Sequence, residues 1–287
     1  MADEEIFNTT LIGVAGSGGS NLKILANLAP DVDDPDEIVS VLADFDLDTG
    51  EWEIVQEFDG WLTSMVEDSQ GRLLAVSADG ELVTLGRGVP SVRDLVCPGA
   101  LNSLCSLPGG GVAAVGDAGA IRLLPTPSSR PIDTAAAVDL YEVSAWSDNV
   151  IVAVGDEGTV LFGNGLGWQP VIVPTNVCLY AVLILGEQHF LVAGVGGVIL
   201  EFTSSGISER DVPRDLTIYA LAHFQGSLYF ACGDDGLWRI AGGGACERIS
   251  DEIAFSLSVV DSRLIGFGNN VLNVFNGDHW SRHELDF

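Results

Sequence analysis

Apolar residues come in short runs, and a similar polar break separates one run from the next. Runs at 73–76, 112–115, 151–154, 190–193 and 228–231 are each followed by another at 82–85, 121–124, 159–162, 198–200 and 237–240. They are too short for helices and rich in β-branched residues, so they predict strands. The breaks share one phrase: Ser77-Ala78-Asp79-Gly80, Gly116-Asp117-Ala118-Gly119, Gly155-Asp156-Glu157-Gly158, Gly194-Val195-Gly196-Gly197 and Gly233-Asp234-Asp235-Gly236. Its last glycines, residues 80, 119, 158, 197 and 236, are 39 residues apart. Glycine reaches positive φ without steric cost and aspartate can bond its own backbone, so the phrase predicts a hairpin turn.

A third run opens each unit, at 61–65, 101–104, 140–143, 179–182, 218–221 and 254–257, and Tyr141, Tyr180 and Tyr219 again stand 39 apart. A fourth strand is clearest at 168–173 and 280–285. Four strands in roughly 40 residues make a β-propeller blade. Residues 7–59 supply a seventh, divergent unit, with strands expected at 9–15, 21–28, 38–45 and 51–58 and an insertion at 29–37. The expected fold is all-β: a seven-bladed β-propeller of four-stranded blades. Blades are placed at about 7–60, 61–100, 101–139, 140–178, 179–217, 218–253 and 254–287, behind an acidic tail at 1–6. The alternative is six blades with a separate N-terminal β-hairpin segment. The chain starts with an inner strand and ends with an outer one. Ring closure is therefore expected to rest on packing of the first blade against the last.

The pattern Leu-Tyr-x-Val … Val-Ala-Val-Gly-Asp-x-Gly-Thr-Val-Leu, clearest from Leu140 onward, resembles bacterial β-propeller repeats found in photosystem assembly-factor-like propellers. The resemblance covers 61–275 well and 7–60 poorly. It implies the fold and no single activity, because such repeats serve many roles. The Ser-x-Asp-x-Gly-x-x-Trp box of sialidase propellers is absent.

Charge narrows the function. The 287 residues hold 41 acids against 12 bases, a formal net charge of −29, and Lys23 is the one lysine. Nucleic acid is excluded as a partner, since phosphate contacts need a basic stripe. So negative a field favours encounter with a cationic partner. Solubility and high-salt adaptation would also favour acids. The distribution is uneven, however: residues 1–59 carry 15 acids and one lysine, a net −14, or about half the charge in a fifth of the chain. A directed patch explains that imbalance better than uniform solubilisation.

The N-terminus, Met-Ala-Asp-Glu-Glu, does not resemble a signal peptide, and no apolar run reaches the ~20 residues of a membrane helix. A cytoplasmic protein, monomeric by itself, is expected. The five cysteines, Cys97, Cys105, Cys178, Cys232 and Cys246, form no C-x-x-C pair and are expected as buried, reduced thiols.

In a propeller, the start of each inner strand and the turn between second and third strands lie on one face. That face is expected to carry Trp61, Asn102, Tyr141, Tyr180, Tyr219 and Phe255 around the channel mouth, inside a rim of Asp79, Asp117, Asp156, Asp234 and Asp235. Aromatics within a polar rim have the composition of interface hot spots. They also suit packing between blades. Asp31, Asp33, Asp34, Asp36 and Glu37 form either a second partner contact or a solvated loop. Neutralising them tests which, through association rate and its salt dependence. Asp44, Asp46 and Asp48 alternate like calcium ligands. However, Thr49 holds the glycine position of an EF-hand and Val55 the place of its last glutamate, and the stretch also reads as a hairpin. No metal or cofactor is assigned.

Catalysis has little support. Gly16-Ser17-Gly18-Gly19-Ser20 fits neither a nucleophile elbow nor a phosphate loop, and His189, His223, His279 and His283 share no repeat position. The sequence therefore points to a non-catalytic propeller binding a basic protein, either as an immunity-type inhibitor or as an assembly scaffold. The alternative is a carbohydrate-binding or carbohydrate-cleaving propeller. Separate shallow aromatic pockets would favour sugars, and one continuous aromatic face would favour a protein.

Overall fold

In a computed structural model of the chain, described for residues 7–16, 19–30, 38–86, 88, 92–124, 137–163, 167–242 and 244–287, the short apolar runs are strands. They form seven sheets, each following the chain order of its strands. Six sheets have four antiparallel strands. The third blade has three among the described residues, Leu101–Ser106, Val112–Gly116 and Ile121–Leu124. The fold is a seven-bladed β-propeller, and residues 7–59 form its first blade rather than a separate hairpin.

The second strands, such as Leu73–Ser77 and Val112–Gly116, are buried along their whole length. Neighbouring blades cover both of their faces. This is why the sequence shows continuous apolar runs there rather than alternation. Outer strands such as Arg93–Leu95 and Gly206–Glu209 are exposed at every residue, which explains their weak sequence signal. In the fourth blade the outer strand is only Trp168–Pro170, shorter than the expected 168–173. Val171 and Val173 instead pack against the core between blades four and five.

The phrase around the 39-residue glycines is not a simple two-residue hairpin. In blade four the Gly155 N–H donates to the Thr159 carbonyl at 3.1 Å, and Thr159 N–H donates to the Asp156 carbonyl at 2.9 Å. Glu157 and Gly158 are both left-handed, at φ 56° and 67°. The final glycine has a second reason to be there. A Cβ on Gly158 would lie 2.2 Å from the Thr175 carbonyl oxygen, and one on Gly197 would lie 2.1 Å from that of Pro213. In blades two, four, five and six the connection from the outer strand to the next blade crosses directly over this glycine, so only hydrogen fits.

The hydrophobic core is divided into clusters between neighbouring blades. One cluster closes the ring: Leu22, Ile24 and Phe45 of blade one pack with Ile265, Phe267 and Leu272 of blade seven. Among the described residues, no strand is exchanged between these two sheets. The Leu11 N–H donates to the Asn269 carbonyl at 2.8 Å, and Arg263 pairs with Asp48 at 3.3 Å. Among the described residues, no helix is long and apolar enough to cross a membrane.

Candidate interaction site at the channel mouth

Inner strands begin at one end of the ring, and the pairing of Leu140 with Gly155 brings the following Asp156 turn to that end. The repeat position occupied by Thr63, Asn102, Tyr141, Tyr180, Tyr219 and Phe255 lies there. Its side chains link blade two through to blade seven in two ways. In blades two and three the link is a hydrogen bond: Thr63 Oγ1 donates to the Leu101 carbonyl, and Asn102 Nδ2 to that of Leu140 at 2.9 Å. From blade four to blade seven it is a chain of rings. Tyr141 and Tyr180 have centroids 5.0 Å apart, Tyr180 and Tyr219 5.5 Å, and Tyr219 and Phe255 5.1 Å. The three tyrosines are partly buried, and Phe255 is exposed. They form one continuous aromatic arc. They serve the contacts between blades and still present surface at the mouth.

Trp61 is not part of this arc. It sits two positions before the repeat position, where Ala100, Asp139 and Cys178 stand in later blades, and it is 49% exposed. What it shares with those residues is a backbone role. Its carbonyl accepts the Ala78 N–H as the Asp139 carbonyl accepts that of Asp156.

The sequence suggested that the turn aspartates bond their own turn, but Asp117 and Asp156 turn their carboxylates to the inner strand instead. Asp117 Oδ1 accepts from Asn102 Nδ2 at 3.2 Å, and Asp156 Oδ2 accepts from the Tyr141 hydroxyl at 3.0 Å, each bond reaching back 15 residues to the inner strand. The Cys178 thiol also bonds Asp156, and that contact, with some burial, raises its pKa. Burial first, then the Asp156 bond, raises the Tyr141 hydroxyl well above its ordinary range; burial also raises Tyr180. Both phenols stay neutral donors at physiological pH. Asp234 and Asp235 are exposed on the blade-six turn, where the Asp235 carbonyl accepts from Trp238 Nε1 at 3.0 Å. Asp79 is exposed on the blade-two turn, where it and Arg93 both flank Gly60. Arg93 in turn pairs with Glu81 at 2.6 Å.

Three residues of this region escaped the sequence reading. Asp139 Oδ1 accepts the Ala118 N–H at 2.8 Å and adds a carboxylate between Asp117 and Asp156. Cys178 joins Asp156 to Tyr180. Glu142 lines a channel cavity of about 280 Å³ together with Ser103, Tyr141, Tyr180 and Tyr219. Its Oε2 accepts the Val182 N–H at 2.6 Å, and burial pushes its carboxyl up to about 8. Asp31, Asp33, Asp34, Asp36 and Glu37 lie outside the described residues.

The raised Glu142 pKa makes a stability prediction. The folded chain holds this proton to about pH 8, whereas an unfolded chain releases it near 4.5. Between those limits the folded state binds more protons, so the Glu142 contribution to stability falls as pH rises. Urea unfolding from pH 5 to 8 should show wild type losing stability relative to Glu142→Gln. Parallel curves would contradict the assignment.

Asp44, Asp46 and Asp48 do not converge on a cation. Lys23 pairs with Asp44, and Asp46 Oδ1 accepts the Asp48 and Thr49 N–H groups at 2.8 and 2.9 Å. Those backbone bonds hold the Asp46 carboxyl below its usual range. Asp48 turns to Arg263. The stretch is the hairpin reading realised. Among the described residues, no group of three His, Cys, Asp or Glu side chains is placed to hold a metal ion. All five cysteines are free thiols.

No protein-family description and no curated protein matches the sequence. Solved structures do. The WD40 β-propeller domain of Doa1 superposes with a TM-score of 0.74 at 14% identity, covering 96% of this chain and 94% of that one. The computationally designed Ika8 protein gives 0.68 at 13% identity, over 99% and 89% of the two chains. A chain of the mitotic checkpoint complex gives 0.65 at 12%, over 100% and 95%. At such identities the likeness shows the β-propeller fold and nothing finer. The resemblance to photosystem assembly-factor-like propellers rests on the repeat alone.

Proposed function

We propose that this chain is a non-catalytic protein-binding propeller whose channel-mouth face receives a basic protein. The observation that carries this reading is the arc of four touching rings from Tyr141 to Phe255, set beside the carboxylates of Asp117, Asp139 and Asp156. Partly exposed aromatics supply contact area at low entropic cost, and a polar rim supplies orientation. Rings in mutual contact favour one continuous protein-binding face over separate sugar subsites. A charge of −29 favours a cationic partner by steering its approach. In its specific form the reading is an inhibitor or immunity-type protein that masks a basic protein, or a scaffold that holds one during assembly.

The test is affinity capture of partners from cell extract, followed by kinetics with the purified partner on wild type, Tyr180→Ala and Asp156→Asn. Loss of a packed anchor costs ~2 kcal/mol, so Tyr180→Ala should raise the off-rate roughly thirtyfold. Asp156→Asn should act mainly on the on-rate and flatten its salt dependence. A partner that docks on the opposite face or on the blade edges, indifferent to both variants, refutes the assignment.

A further inference from the structure

One charged side chain among the residues lining the channel cavity has no counterpart in the other blades. Glu142 occupies the repeat position held by Ser64, Ser103, Ala181 and Ala220. The structural duty of that position is small. Ser64 Oγ accepts the Leu104 N–H at 3.4 Å, as Glu142 Oε2 accepts that of Val182 at 2.6 Å. A hydroxyl thus meets the need in blade two, and alanine occupies the place in blades five and six. A carboxyl there loses hydration that a serine would not need, and a structural role does not account for that cost.

We propose that Glu142 receives the ammonium group of a lysine side chain that a basic partner inserts through the mouth. This rests on the protein-binding reading above and names the group that enters. The chemistry selects ammonium over guanidinium. One carboxylate oxygen is already committed to the Val182 N–H, so the paired oxygens that a guanidinium fork requires are not both free. An ammonium is a compact charge with three donors. One can meet the Glu142 carboxylate, and hydroxyls such as that of Ser103 in the same cavity can take the others. The four-carbon stem suits the approach, because Tyr141, Tyr180 and Tyr219 line the same cavity. Aromatic surface packs such stems and attracts the charged end.

Protonation competes with the cation at this site, so binding is coupled to pH. The inner strand Leu140–Ser147 packs against Leu101–Ser106, Val112–Gly116, Val150–Gly155 and Leu179–Gly186. Of these neighbours, the first brings the Cys105 thiol, pushed up to about 12 by burial and also by Glu142. The last brings Tyr180, and the two strands between them carry no titratable side chain. Tyr141, Asp156 and Asp117, whose turn Asp117–Gly119 also packs against this strand, lie at the mouth. No cation on these elements offsets the burial of Glu142, so it stays largely protonated at neutral pH. An arriving ammonium displaces that proton to solvent.

The test is NMR titration of the whole protein with acetyl-Gly-Lys-Gly-amide, using the norleucine analogue as control. Glu142→Gln keeps a side-chain acceptor for Val182 and should fold. Wild type should bind the lysine peptide with an affinity rising about tenfold from pH 7 to pH 9, the rise in ionised Glu142 for a carboxyl near 8. Glu142→Gln should lose that pH dependence and bind at least about tenfold more weakly at pH 9. Equal binding of the norleucine peptide, or equal affinity of Glu142→Gln, overturns the proposal. The mouth-face reading is judged separately, by the effect of Tyr180→Ala on the captured partner. A lost Tyr180 effect sinks the mouth face and the channel lysine that rests on it, whereas a retained effect with a failed peptide titration leaves the face intact without a channel lysine.

Discussion

Gly158→Ala should lower the stability of the propeller by about 3 kcal/mol, although the change adds one methyl group in a turn. Two costs combine. At φ 67° an L-residue pays roughly 1 kcal/mol for the left-handed conformation. The new Cβ would also stand 2.2 Å from the Thr175 carbonyl oxygen and 3.0 Å from the Asn176 Cα. Both contacts are backbone, so relief requires moving the connection into blade five. That connection also receives the Gly158 N–H at the Val177 carbonyl, 2.9 Å away. Gly242→Ala is the control: a Cβ there meets nothing within 4 Å. Thermal unfolding should fall by several degrees for Gly158→Ala and stay within about a degree for Gly242→Ala. Equal melting of the two variants would show that the 39-residue glycine is a habit of the repeat rather than a steric requirement.

That glycine shows what the sequence revealed and what it hid. Its period disclosed the blades because every blade solves the same backbone problem at the same place. The second strands were legible for a similar reason: burial on both faces demands unbroken apolar runs such as 112–115. Outer strands were harder to read, since exposure leaves Gly206–Glu209 free of any apolar constraint. The mouth was legible only where the register was kept strictly. Tyr141, Tyr180 and Tyr219 share a position and touch. Trp61 was added for its chemistry, two residues out of register, and stands apart. The same strictness would have exposed Glu142. A carboxyl at a position otherwise filled by serine or alanine is visible without coordinates, but only its place on the channel wall gives it meaning. Asp139 and Cys178 could not be found this way, because the one duty their position shares across blades two to five is a backbone one. The diversion of Asp44, Asp46 and Asp48 to Lys23, the turn and Arg263 was likewise hidden, since alternating acids look alike before their partners are placed.

Phe45→Ala should cost about 4 kcal/mol, and its effect should be concentrated where the ring closes. Among the described residues the first and last blades share no strand, so side chains carry most of the joint. Phe45 is fully buried in the cluster that spans them, and its ring meets His283 of the last outer strand edge-on, with centroids 5.2 Å apart. Removing it leaves a cavity between two sheets that are held otherwise by the remaining side chains of this cluster and a few bonds, such as Leu11 N–H to the Asn269 carbonyl and Arg263 to Asp48. Acid should weaken the same joint. Burial lowers the His283 pKa below 6.5, so the unfolded chain binds this proton more readily, and its contribution to stability is lost as pH falls through the folded value. Hydrogen exchange separates closure from global stability. In Phe45→Ala the Leu11 amide should exchange faster by a larger factor than the Val182 amide, which lies between blades four and five in the middle of the ring. A uniform acceleration would mean that the propeller unfolds as one unit. A loss under about 1 kcal/mol would mean that the joint is held by something other than this core.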